Sequence, residues 1–114
     1  MTTDNKTTTY NGWTNYETWA ANLWLTNEEP SYTHWMHQAS EAWEDAALLK
    51  PDYLTRSEDA RVRLADALKD ELEESAPEVE GLYGDLMRAA LGEVDVMEIA
   101  DSLLADRDGY EPRS

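Results

Sequence analysis

Apolar residues recur along this chain at intervals of three and four, the spacing of one helix face, and never in the sustained alternation of a half-buried strand. Five stretches follow that rule. In the first, Tyr16, Trp19, Ala20, Leu23 and Trp24 share a face that must be buried against something, and Thr14 followed by Glu17 has capping-box spacing. The second follows "NEEP", with Pro30 suited to a first turn and Ser31 as the cap. Its stripe of Tyr32, Trp35, Met36, Ala39, Ala42, Trp43, Ala46 and Ala47 runs to about Leu48 and is ended by Pro51. A third starts at the capping pair Thr55 and Glu58 and runs to about Ser75; its apolar side, Ala60, Leu64, Ala67, Leu68 and Leu72, is thin and expected to add little burial. After Pro77 a fourth, from about Val79, carries Leu82, Tyr83, Leu86, Met87, Ala90 and Leu91 up to Gly92, placed for a left-handed cap. The fifth is capped by Asp95 and Glu98 and buries Val96, Ile99, Ala100, Leu103 and Leu104.

The short spacers between these stretches predict an all-α fold, a compact bundle of about five helices with a Trp/Tyr-rich core. Residues 10–106 read as a single helical domain, between a polar, Thr-rich lead at 1–9 and a flexible tail at 107–114, both expected to be disordered. A chain of 114 residues has room for one core. With no Phe present, Trp19, Trp24, Trp35 and Trp43, joined by Tyr16 and Tyr32, are the bulky members of that core. The "NG" before Trp13 fits a turn leading into the first helix, or the lining of a recognition surface.

Charge narrows the function. Twenty-five Asp and Glu against 9 Lys and Arg leave a formal charge of −16, which disfavours direct binding to phosphate backbones and to anionic membranes alike. Repulsion on that scale favours solubility, penalises compactness, and usually answers to a basic partner or to high salt. There is no Cys, so disulfides and thiolate chemistry are excluded. No apolar run approaches the roughly 20 residues of a membrane span, and "MTTDNKTTTY" has no export pattern, so a cytoplasmic location is expected.

The acids gather on the third helix. At about 100° per residue, Asp59, Asp66, Asp70 and Glu73 fall within an arc of roughly 60° opposite the apolar side. Glu71, Glu74, Glu78 and Glu80 thicken its far end, so that positions 66–80 hold seven acids and one base, Lys69. A solvated face ordinarily mixes signs, because like charges one turn apart destabilise a helix by a few tenths of a kcal/mol. The row is therefore read as a stand-in for DNA phosphates that fits a basic cleft, with Glu41, Glu44 and Asp45 of the second helix as a candidate extension.

Other chemistry is weaker. His34, His37 and Glu41 share a helix face and are types that ligate zinc or iron, yet they are three residues on an ordinary polar face with no third His, so no metal is expected. No acid pair is set apart by an apolar pocket, so no cofactor and no catalytic residue is assigned and the chain is read as a non-enzyme. The fourth and fifth stretches resemble a helix-turn-helix, but "DVMEIADSLLAD" has four acids and no base and is expected to be one half of a packed helix pair.

The segments "NGWTNYETWAANLWL", "NEEPSYTHW" and "LYGDLMRAALGEVDVMEIADSLL" resemble a family of small, largely uncharacterised proteins of bacteriophages and bacterial mobile elements. That resemblance implies a setting, a phage-type accessory protein in a host cytoplasm, and no catalytic residues. In being helical, acidic and Trp/Tyr-containing, the chain also resembles the DNA-mimic proteins by which phages block restriction enzymes and other DNA-binding defences. The leading expectation is a mimic of anti-restriction or anti-CRISPR type that blocks a basic nucleic-acid-binding protein of the host. The alternative is a helical protein–protein interaction module that recognises its partner through Asn11, Trp13, Asn15 and Glu17, with acidity serving solubility. A third reading is adaptation of the surface to high salt. A homodimer is a candidate assembly, since doubling an acidic row imitates more of a duplex.

Overall fold

The computed structural model describes residues 10–49 and 54–110, the side chains of Leu49 and of residues 107–110 excepted. Five helices follow one another: α1 (Tyr16–Thr26), α2 (Glu29–Leu49), α3 (Arg56–Ser75), α4 (Gly81–Gly92) and α5 (Val96–Tyr110). Among the described residues there is no strand, only an isolated bridge between Tyr10 and Trp13, and the all-α expectation holds. The lead at 1–9, Pro51 and residues 111–114 lie outside the described residues. The α5 backbone stays helical to Tyr110, into the segment read as tail.

Caps decide where the helices begin. α3 starts as its sequence predicts: the Thr55 hydroxyl accepts from the Glu58 N–H at 3.1 Å, and the Glu58 carboxylate accepts from the Thr55 N–H at 2.9 Å. α1 does not start at Thr14. Its cap is Asn15, whose Oδ1 accepts from the Thr18 N–H at 2.8 Å, and an Asn caps as well as a Thr. α2 opens at Glu29, which puts Pro30 in the first turn, where a missing N–H costs nothing, and Ser31 inside the helix instead of at its cap. Gly92 is not left-handed either: among the described residues positive φ occurs at Asn11, Gly12 and Gly81. The Glu93 N–H already takes the carbonyls of Ala90 and Leu91, so α4 ends without needing such a residue.

The core is a three-helix affair. α2, α3 and α5 pack on one another, α1 packs on α2 and α5, and α4 makes at most marginal contact with any other helix. Arg56 at the start of α3 reaches Trp43 and Glu44 late in α2, while Glu71 late in α3 meets His34 early in α2, so these two helices run antiparallel. The buried apolar side chains are Trp35, Met36, Ala39, Ala42 and Ala46 of α2, Ala60, Leu64, Ala65 and Leu68 of α3, and Ile99, Ala100 and Leu103 of α5. Alanines at half of these positions let the backbones approach closely. α3, expected to add little, is therefore central: burying Leu64 and Leu68 stabilises the fold by roughly 1.5–3 kcal/mol each. Trp35 is enclosed, and Trp13 and Trp43 lie against the core.

α1 faces the opposite way from its pattern. Thr18, Ala21 and Leu25 turn toward the bundle, while Trp24 is 73% and Tyr16 54% exposed, with Leu23 also outside. The cause is polar. The Thr18 hydroxyl is engaged at the turn between α4 and α5, and rolling the stripe inward would carry Thr18 out of that turn. α4 likewise leaves Leu82, Tyr83 and Leu86 in solvent, so α4 and α5 are not the packed pair that their sequence suggests.

Candidate functional site

The opening segment is built from a two-residue turn. Asn11 and Gly12 take φ of 49° and 88°, the left-handed values that a tight hairpin turn requires. Tyr10 and Trp13 exchange backbone hydrogen bonds of 2.7 and 2.8 Å across it. This swings the Tyr10 ring back over α1, with centroids 5.2 Å from Tyr16 and 5.0 Å from Trp19, themselves 5.6 Å apart. The result is a platform of three rings.

Below the platform the polar residues are occupied. Asn15 Nδ2 donates to the Glu93 carbonyl at 2.8 Å, and the Thr18 hydroxyl accepts from the Asp95 N–H at 2.8 Å and donates to the Glu93 carbonyl at 3.5 Å. The Thr14 N–H donates to the Glu98 carboxylate at 3.0 Å. Asp95 does cap α5, accepting from the Glu98 N–H at 3.1 Å, but the other half of its box is exchanged across the chain: Thr18 serves the Asp95 N–H and Glu98 serves Thr14. Of the alternative recognition set, Asn11 forms the turn, Trp13 packs on the core and Asn15 holds the α4–α5 turn. Glu17 is half-buried and forms no ion pair or hydrogen bond among the described residues. The rings that could meet a partner are Tyr10, Tyr16, Trp19 and Trp24, the last three of which the sequence reading put in the core.

The acidic row divides. Asp59 leaves it: the residue is 7% exposed, and its carboxylate is held by Arg63 Nε at 2.6 Å. It lies in the first turn of α3 and is buried, where an unpaired charge would be costly, and the arginine one turn on satisfies it. Asp66, Asp70, Glu73, Glu74, Glu78 and Glu80 are exposed, and none makes an ion pair or hydrogen bond among the described residues. Glu71 faces His34 at 3.4 Å. Three further arginines are committed elsewhere, Arg56 to Glu44, Arg61 to Asp101 and Arg88 to Asp85. Arg56 also stacks over the Trp43 ring at 4.1 Å. Because α2 and α3 are antiparallel, Glu41, Glu44 and Asp45 lie toward the Arg56 end of the pair and Glu73 toward the other.

A cavity of about 900 Å³ opens beside the row, between the end of α3, the 76–80 connector, α4 and the start of α5. Leu72, Met87, Leu91, Val94 and Val96 give it an apolar floor, and Glu73, Glu74 and Glu78 stand at its edge with Lys69 and Arg88. The connector crosses α4 at Gly84, where a Cβ would lie 1.9 Å from the Val79 carbonyl oxygen. The two histidines diverge, His34 to Glu71 and His37 to Glu41 at 3.3 Å. Among the described residues no group of three or more His, Cys, Asp or Glu is arranged to hold a metal ion, and no helix is long and apolar enough to cross a membrane.

No curated protein and no solved structure matches this chain. A family of unknown function does, over residues 6–101, a span that takes in the turn, the clamp and the acidic row. The chain belongs to that family, DUF7249.

Proposed function

We propose that the chain is an acidic, non-enzymatic binding protein that occupies the nucleic-acid-binding surface of another protein, its carboxylates standing where phosphates would. One observation carries this reading: six exposed acids between Asp66 and Glu80 lack any basic partner among the described residues, while Arg56, Arg61, Arg63 and Arg88 are paired. A fold that needed its acids only for internal pairing would not leave this group unmatched. From Asp66 to Glu73 the helix advances about 11 Å at about 1.5 Å per residue, the axial length of about three phosphates on one strand at about 3.4 Å each. Glu74 and Glu78 extend the charge around the edge of the cavity, and Glu80 follows two residues further along the connector. The resemblance to phage accessory proteins supports a host cytoplasm as the setting and a restriction, CRISPR or other DNA-handling protein as the partner.

The test is capture from a bacterial lysate on the immobilised protein, followed by elution with duplex DNA. DNA-binding proteins should be retained, released by the duplex, and lost steeply as salt rises. The quadruple variant Asp66→Lys, Asp70→Lys, Glu73→Lys and Glu74→Lys should retain none of them. Retention that ignores DNA, or that survives this reversal, would overturn the reading.

A further inference from the structure

We infer that the outward face of α1, formed by Tyr10, Tyr16, Trp19, Leu23 and Trp24, docks a second copy of this chain in a closed, two-fold symmetric dimer. This does not depend on the acidic-face reading. At about 100° per residue these α1 side chains span an arc of about 140°, so the wide apolar stripe of an 11-residue helix points to solvent and the narrow one to the bundle. A helix arranged this way is normally covered.

Charge selects the occupant. The molecule carries −16, yet Tyr10 to Asn27 contains one charged residue, Glu17. A second copy is repelled by the acidic surfaces and meets far less of that barrier here, where Glu17 is the one carboxylate of the segment. α1 packs on α2 and α5, and is not a packing partner of α3, so two copies joined through α1 keep their acidic rows away from the contact.

Area agrees. Aromatic side chains carry roughly 150–250 Å² each, so exposures of 40% for Tyr10 and Leu23, 54% for Tyr16 and 73% for Trp24 leave roughly 450–500 Å² per copy. A symmetric pair would cover roughly 900–1,000 Å² from these side chains alone, most of the way to the range of about 1,200–2,000 Å² typical of stable interfaces. Three of the rings already pack edge-on or tilted against one another, so little side-chain freedom is lost on docking. Because one patch meets its own copy, the contact closes at two chains; a contact between α1 and the exposed α4 face of another copy would instead propagate.

Light scattering behind size exclusion, with the full chain across a wide concentration range at about 0.15 M salt, should give twice the 13.0 kDa chain mass. Combining Tyr16→Glu with Trp24→Glu should weaken dimerisation at least about thirtyfold, as loss of interface hot spots does, with unchanged helical circular dichroism. Leu86→Glu on α4 should leave the dimer intact. A monomeric wild type, which needs no variant to be folded, would overturn the inference. So would a dimer indifferent to the α1 substitutions, one abolished by Leu86→Glu, or growth beyond two chains.

Discussion

Thr18 shows how one small polar side chain can set the direction of a helix. Its hydroxyl is fully buried, takes the Asp95 N–H and reaches the Glu93 carbonyl, and a hydroxyl removed from water must be bonded to be tolerated there. Valine has the same shape without the bonding. Thr18→Val should leave the Asp95 N–H unsatisfied and lower stability by about 1–3 kcal/mol, seen as a lower urea midpoint at unchanged slope. An unchanged midpoint would mean that the aromatic stripe, and not this hydroxyl, orients α1. Asn15 acts beside it with both ends of its amide, capping α1 through Oδ1 and holding Glu93 through Nδ2.

Among the elements, α4 is held differently from the rest. It touches other helices only marginally and is strapped by its own connector, with Val79 lying over Gly84 and Arg88 Nη1 donating to the Val79 carbonyl at 3.4 Å. Gly84→Ala removes the space for that crossing. Amide exchange in Gly81–Gly92 should then rise sharply while α2, α3 and α5 keep their protection; if the whole bundle loosened, α4 would be part of the core after all. Helix number and most inward faces were legible because α2, α3 and α5 bury the stripes that their periodicity announces, from Trp35 to Ala46, Ala60 to Leu68 and Ile99 to Leu103. The α1 face was not, because periodicity measures which residues are apolar and cannot tell burial within the chain from burial against another one. Nor could it tell that Asp59 sits inside and Asp66 outside: both lie on one arc of α3, and only the position of the neighbouring helices and of Arg63 separates them.

At the scale of the whole molecule, charge opposes the fold that the core supports. With −16 on 114 residues and six exposed acids between Asp66 and Glu80 unpaired among the described residues, compaction works against self-repulsion, which added salt screens. The melting temperature should therefore climb between low salt and about 0.3 M sodium chloride, beyond the Debye screening of any single pair; a flat or falling curve would mean that the few arginine pairs outweigh the surplus. The clamp around Thr18 adds a kinetic consequence. Its bonds join residues 77 and 84 positions apart, so α1 can pack on α2 as soon as both are made but gains its polar clamp only after the turn between α4 and α5 has been made. Local hairpins form early and such distant closures late, so the α1–α2 pair waits for its lock, and the side of α1 that carries Thr18 stays unsealed until α5 arrives.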